Sequence, residues 1–344
     1  MRKLDIFNHV YPTQFYDLFM KIAPAYKDIG KRMRNIPMLA DLDVRFRVMD
    51  TFGDDYQQVF SLPTPPIEVF ARNFERGIAL DLARAANDGM AELVERYPDR
   101  FPGFVAALPL NDPDAAVGEL RRAVDDLGAR GFQITSNIVG KPITAPEFLP
   151  LFEAMAKYDL PIWMHPFRGP EFPDYQTEDR SQFEIWWTFG WPYDTSVAMA
   201  RLVFAGYFDR FPNLKIIAHH MGAMIPYFEG RVGPGWDQLG SRTSDIDYTA
   251  VLKSLKKRPL DYFKMFYADT ALFGAYEATV CGLRFFGVDR VLFASDAPFD
   301  PEKGPMYIRE TIKIVDRLEI SDADREKIYW RNASALLKLA AQPG

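Results

Sequence analysis

The chain has four histidines, and each stands directly after a segment that reads as a β-strand. His9 follows the candidate strand 3–7, His165 follows 160–164, and His219 and His220 follow 214–218. Asp296 stands in the same relation to the apolar run 291–294, and Pro298 ends the run. A single histidine in such a place is more often a hydrogen-bonded structural residue than a ligand. An acid past a buried strand either caps the next helix or points into a site. Five such residues at corresponding strand ends describe one site. Imidazoles and a carboxylate converging in one place are the ligand set for Zn²⁺ or a similar divalent ion, with Mn²⁺ the alternative. We take His9, His165 and Asp296 as candidate metal ligands, since three protein groups with an open position is the catalytic arrangement.

That assignment leaves a histidine of the sixth strand for acid–base work, because imidazole titrates near neutrality. Neighbouring strand residues face opposite sides, so one of His219 and His220 is expected in the site. Met221-Gly222 gives a turn with room beside a ligand, which favours His220. His219 is expected to pack outward or to support its neighbour. Asp296 is the second candidate for proton handling. An anionic substrate also needs a bidentate cation. Arg45, Arg47 and Arg231 are the candidates, although an exposed role is the ordinary one for any arginine. Trp187 and Trp191 lie in the densest aromatic stretch, 183–191, which reads as a lid, as a wall for a planar substrate, or as subunit-interface packing.

These residues need a scaffold that brings strand ends together. Candidate strands lie at 3–7, 58–62, 104–108, 131–135, 160–164, 214–218, 263–267 and 291–294, alternating with helical patterns over 67–97, 112–128, 146–158, 195–208, 224–232, 276–286 and 306–318. Eight strands alternating with helices, with no Gly-x-Gly-x-x-Gly fingerprint after the first, point to an α/β fold of the (β/α)8 TIM barrel class rather than a dinucleotide-binding sheet. Residues 13–56 read as a small insertion over the barrel mouth, 167–193 as a long mouth loop, and 321–339 as extra C-terminal helices. The whole of 1–344 is expected to form a single domain.

Composition narrows the function classes. A net charge of −6 and pI near 5.4 argue against a nucleic-acid footprint. The single cysteine, Cys281, excludes an internal disulfide, suits a reducing compartment, and reads as a buried inert thiol. Asp5 and Asn8 interrupt any signal-peptide core, and no run approaches the roughly 20 apolar residues of a membrane span. A soluble cytoplasmic protein is expected. Aromatic residues make up 15% of the chain, enough for a thick core, an aromatic pocket or an apolar subunit interface.

The segments Asp5-Ile-Phe-Asn-His9, Arg45-Phe-Arg-Val-Met-Asp50, Pro161-Ile-Trp-Met-His-Pro166, Ala218-His-His-Met-Gly222, Pro226-Tyr-Phe-Glu-Gly-Arg231 and Leu292-Phe-Ala-Ser-Asp-Ala-Pro298 resemble, in order and spacing, the amidohydrolase-2 family. The resemblance is to its branch of aminocarboxymuconate semialdehyde decarboxylase and aromatic-acid decarboxylases. It implies His165 and Asp296 as metal ligands, His220 as the acid–base group, an arginine within 45–47 on the substrate carboxylate, and Arg231 reaching into a neighbouring subunit of a homodimer. Position 7 departs from the family pattern: a ligand is usual there, and this chain has Phe7. The expected function is a metal-dependent decarboxylase, free of organic cofactors, acting on a small aromatic or muconate-like carboxylic acid. The alternatives are a metal-dependent hydrolase of a lactone, amide or C–C bond, and a binding protein that has lost turnover with the ligand at position 7.

Overall fold

A computed structural model describes residues 1–23, 29–71 and 76–339. Eight parallel strands form the centre: Lys3–His9, Tyr56–Ser61, Gly103–Phe104, Phe132–Thr135, Pro161–His165, Lys215–Ala218, Tyr267–Asp269 and Val291–Leu292. Each pairs in parallel with the next in chain order, and a bridge from Ala106 to Phe132 joins the third to the fourth. The first strand meets the eighth through backbone hydrogen bonds: Ile6 N–H to Phe293 O at 3.1 Å, Asp296 N–H to Phe7 O at 2.9 Å, and His9 N–H to Ala297 O at 2.9 Å. These bonds close the ring, and the protein is a (β/α)8 barrel.

Strands buried on both faces must carry apolar side chains on both. Leu4, Ile6, Val59, Val105, Trp163, Ile217 and Leu292 fill the interior, while Phe60, Phe104, Phe132 and Ile134 face the surrounding helices. Each such buried side chain contributes about 1.5–3 kcal/mol. Trp163 crosses the interior, and its indole N–H donates to Ile6 O at 2.9 Å. Ala333, Leu336 and Leu337 of the C-terminal segment seal the interior cluster at the side of Leu4.

Several elements differ from the sequence expectation. The seventh strand begins at Tyr267, because Pro259 starts a short helix, Pro259–Phe263, that uses the residues expected to lead into it. Short buried apolar runs do not distinguish strand from helix by pattern alone, and a proline at the first helical position decides this one. Residues 224–228 form turns, since Pro226 supplies no N–H and Ala223 has φ +56°, and helical winding returns only at Glu229, running into the π-helix Arg231–Gly235. The expected helix over 67–97 appears as Ile67–Ala71 and Arg76–Arg96, with 72–75 outside the described residues. Within the insertion, the helix Thr13–Ile22 belongs to the core packed outside the strands through Phe15 and Phe19, while Arg32 and Met33 line the mouth; residues 24–28 lie outside the described set. Cys281 is free and half-buried rather than buried.

Candidate active site

The site begins with a slip in register. Asp5 of the first strand pairs with Gln58, yet Asn8 pairs with Phe60, so three steps on one strand match two on the other. A bulge of this kind changes which side chains face inward. Leu4 and Ile6 point into the barrel below it, and Phe7 and His9 are also interior above it. Asp5 is turned toward Tyr56 and Ser295, whose hydroxyls donate to it at 2.6 and 2.5 Å. Without the slip, alternation would carry His9 to the helix side.

A second local irregularity places the histidine pair. The sixth strand ends at Ala218, and His220 and Met221 both adopt left-handed backbone, at φ +57° and +55°. Alternation from the inward-facing Ile217 thus carries His219 into the barrel, and the left-handed turn breaks it at His220. Both imidazoles turn to the same side, with ring centroids 3.8 Å apart. The expectation that His219 packs outward is overturned: it is wholly buried among the candidate ligands. Gly222, at φ +71°, completes the turn, and a Cβ there would lie 2.5 Å from the Phe286 ring.

His9, His165, His219 and Asp296 each offer one donor atom, and all four lie within 4.8 Å of one another. The imidazoles are oriented by the same device. His9 Nδ1 meets Leu62 O at 3.1 Å, His165 Nδ1 meets Pro166 O at 2.6 Å, and His219 Nδ1 meets a carboxylate oxygen of Asp269 at 2.6 Å. With Nδ1 engaged, Nε2 of each ring is the nitrogen left for the cluster, which is how ligating histidines are held. His219 Nε2 is buried without a hydrogen-bond partner, 3.4 Å from Asp296. His9 Nε2 lies 3.1 Å from Asp296 Oδ1. A donor set of three imidazole nitrogens and one carboxylate, already oriented, fits a divalent cation such as zinc.

The electrostatics agree with that fit. Burial alone would raise the Asp296 carboxyl, but the His219, His220 and His9 imidazoles facing it outweigh this and hold the group well below the usual carboxylate range. Burial would lower His219, but the facing Asp269 carboxylate, with Asp296 beyond, raises it to about 9. Burial lowers His9, and burial with the charge of His219 and His9 holds His165 well below its ordinary value. His220 is lowered by burial and by His219. One positive charge is thus favoured between two carboxylates, the charge that a divalent ion would bring.

The cluster borders a cavity of about 250 Å³, lined by His165, His220, Asp296, Trp187, Trp191 and Tyr307 among others. Its size, at the lower edge of the roughly 300–1,000 Å³ typical of ligand sites, suits a small molecule. The Trp191 indole N–H donates to Arg168 O at 3.0 Å, which fixes its ring against His165 at 5.5 Å. His220 Nε2 lies 3.5 Å from Asp296 Oδ2, inside the same cavity.

None of the three expected arginines is among the residues lining this cavity. Arg45 is fully buried and donates to Asn8 Oδ1, Gln58 Oε1, His9 O and Met38 O. It fastens the insertion to the first two strands and has no face toward the cavity. Arg47 is exposed on the outer side of Leu42–Asp50. Arg231 is exposed and lies over the Phe228 ring, in a separate surface hollow. Sequence reasoning missed two cavity or support groups. Asp269 stands past the seventh strand as Asp296 does past the eighth, so the same rule would have found it. Arg32 lies in the irregular insertion and carries no such signal.

Comparison with known proteins agrees with this geometry. The sequence profile described as amidohydrolase matches residues 36–339. The chain is 34% identical over 307 residues to gamma-resorcylate decarboxylase of Rhodococcus jostii, covering 86% of this chain and 87% of that one. It is 30% identical over 313 residues to 2-amino-3-carboxymuconate-6-semialdehyde decarboxylase of Dictyostelium discoideum, covering 90% and 80%. Among solved structures, 2,6-dihydroxybenzoate decarboxylase from Rhizobium superposes with a TM-score of 0.78 at 29% identity, over 98% of this chain and 99% of that one. A Polaromonas dihydroxybenzoic acid decarboxylase, crystallised with manganese and 2-nitroresorcinol, gives 0.75 at 28% identity, over 99% and 98%. With the barrel, the oriented histidines and the profile match in agreement, the chain belongs to the amidohydrolase family.

Proposed function

We propose that the protein is a metal-dependent decarboxylase, free of organic cofactors, of a small aromatic or muconate-like carboxylic acid. The observation that carries this reading is the convergence of three Nε2 atoms and one carboxylate beside an aromatic-walled cavity that also holds a fourth histidine. The similarity to gamma-resorcylate and aminocarboxymuconate semialdehyde decarboxylases supports the reaction class.

His9, His165, His219 and Asp296 would hold the ion; zinc suits this donor set, and manganese is the alternative. A divalent ion bound there supplies Lewis-acid stabilisation to a substrate carboxylate or neighbouring oxygen. His220 is the proton carrier: its Nε2 faces the cavity, and it delivers a proton to the carbon from which CO₂ departs. Asp296 Oδ2, 3.5 Å from that nitrogen, orients it and stabilises its charged form. Trp187, Trp191 and Phe273 hold a planar body in place and exclude water around the reacting carbon. A reading as a binding protein without turnover drew on Phe7, and the presence of His219 in the cluster removes its main support.

Two further parts of the proposal concern the protein's setting. A homodimer is supported by exposed Tyr193, Val197 and Tyr227 near the Arg231 hollow, an apolar surface suited to a second copy. A cytoplasmic location is supported by the one free cysteine, and no helix among the described residues is long and apolar enough to cross a membrane.

The test is incubation of zinc- or manganese-loaded protein with a panel of hydroxybenzoates and muconate semialdehydes. The expected result is CO₂ release that a chelator abolishes and added metal restores. Hydrolysis of a lactone or amide with no CO₂ from any panel member overturns the proposal.

A further inference from the structure

Among the residues lining the inner cavity, Arg32 is the sole lysine or arginine. It comes from the short helix Ile29–Met33 in the insertion, far in sequence from any strand end. Its guanidinium donates to Phe299 O and hydrogen-bonds Tyr307. Neither partner is a carboxylate, and Arg32 forms no ion pair among the described residues. Its charge therefore stays available to an anion, while the two neutral partners fix the fork in place. Arginine is suited to bidentate recognition of planar oxyanions.

Arg32 and Trp187 also line an adjoining outer hollow of about 680 Å³, together with Lys31 and Arg180, against the single acid Glu184. Arg32 thus stands where the inner cavity meets a basic approach, and the metal cluster borders the same inner cavity at His165 and Asp296. Between these two cationic places the walls are flat and apolar, from Trp187, Trp191, Leu272 and Phe273.

We propose that Arg32 is a specificity-determining residue that binds a second anionic group, so that the favoured substrates are aromatic acids with two acidic groups. This rests on the decarboxylase reading for the group that faces the metal. A second anion raises affinity by a charge-assisted, partly desolvated pair at Arg32, and the basic hollow raises the local concentration of such ligands.

The experiment titrates full-length, zinc-loaded protein with benzoate and with the three benzenedicarboxylates, following quenching of tryptophan fluorescence from Trp187 and Trp191. The expected result is that at least one diacid binds about tenfold or more tightly than benzoate. In Arg32→Met the ratio falls to about twofold or less, and in Arg32→Lys it is intermediate, because lysine keeps charge but not the fork. Melting temperature and zinc content are measured on every variant, and Arg32→Gln replaces the methionine variant if that one is unfolded. A wild-type protein that does not prefer any diacid, or binds none of the four compounds, overturns the inference. So does an Arg32→Met protein that keeps the ratio. CO₂ release is scored separately. A collapsed ratio without decarboxylation leaves the recognition standing and removes the reaction, and decarboxylation with an unchanged ratio does the reverse.

Discussion

The Phe7 ring lies flat against the His219 imidazole, with centroids 3.8 Å apart and planes 15° from parallel. It also stands 5.6 Å from the His9 ring and 5.8 Å from the His165 ring. Phe7 therefore closes the cluster from the barrel interior, so that open positions on a bound ion face the cavity. The residue that offers no ligand holds one that does. Stacking on one side and the Asp269 carboxylate at Nδ1 leave His219 a single useful direction for Nε2.

Phe7→His places a fourth imidazole nitrogen, and a fifth donor, beside the cluster. The expected outcome is tighter metal binding, by about tenfold or more, measured by competition with a chromophoric chelator. An unchanged affinity would show that the side chain at position 7 does not reach the ion.

Asp269→Asn keeps the size of the side chain and removes the charge that orients His219. The outer partner of a ligating histidine is typically worth about 10–100-fold in metal affinity. Zinc retained after dialysis should fall accordingly, while the fold, followed by circular dichroism, is kept. Asp269 also accepts the N–H groups of His220 and Ala271, so proton transfer should slow with it.

Arg45→Met and Arg47→Ala separate the two arginines that sequence alone treats as equals. Removing the buried guanidinium leaves Asn8, Gln58 and two backbone carbonyls without their donor, at a cost on the order of 3–5 kcal/mol. The exposed Arg47 should cost no more than about 0.5 kcal/mol. Urea unfolding measures both. A stable Arg45→Met protein with a selectively raised KM would restore the substrate-binding role.

Glu68 predicts a pH dependence remote from the metal cluster. Burial raises its carboxyl from 4.5 to about 7, and the Thr135 hydroxyl at 3.3 Å offsets this only in part. The folded state binds the proton more tightly than the unfolded chain, so the stabilising protonated form is fully present below pH 4.5. Its contribution is lost as pH rises through 7. Relative to Glu68→Gln, the wild type should lose on the order of 3 kcal/mol of stability across that window and be level above it. Parallel pH–stability curves for the two proteins would contradict the assignment.

The barrel was legible because eight apolar runs punctuated by Pro and Gly alternate with helical patterns, and strand ends in such a fold converge. His9, His165 and Asp296 were found by that rule alone. His219 was misjudged because the room at Met221-Gly222 was taken to favour His220, whereas alternation from the inward-facing Ile217 carries His219 inside and left-handed backbone at His220 and Met221 brings the second ring to the same side. The bulge between Asp5 and Asn8 was equally invisible, since nothing in Ile-Phe-Asn marks a register slip. Arg45 looked exposed by residue type, and only the pairing of its guanidinium with acceptors from three separate segments reveals a buried clamp. Arg32 became visible only once the insertion was folded over the mouth.

The most direct measurement is diffraction at the zinc or manganese absorption edge from crystals of the metal-loaded protein. The account predicts one anomalous peak within roughly 2.0–2.3 Å of Nε2 of His9, His165 and His219 and of an Asp296 oxygen, with His220 beyond bonding distance. A peak bound without His219, a peak ligated by His220, or no peak at this cluster would contradict it.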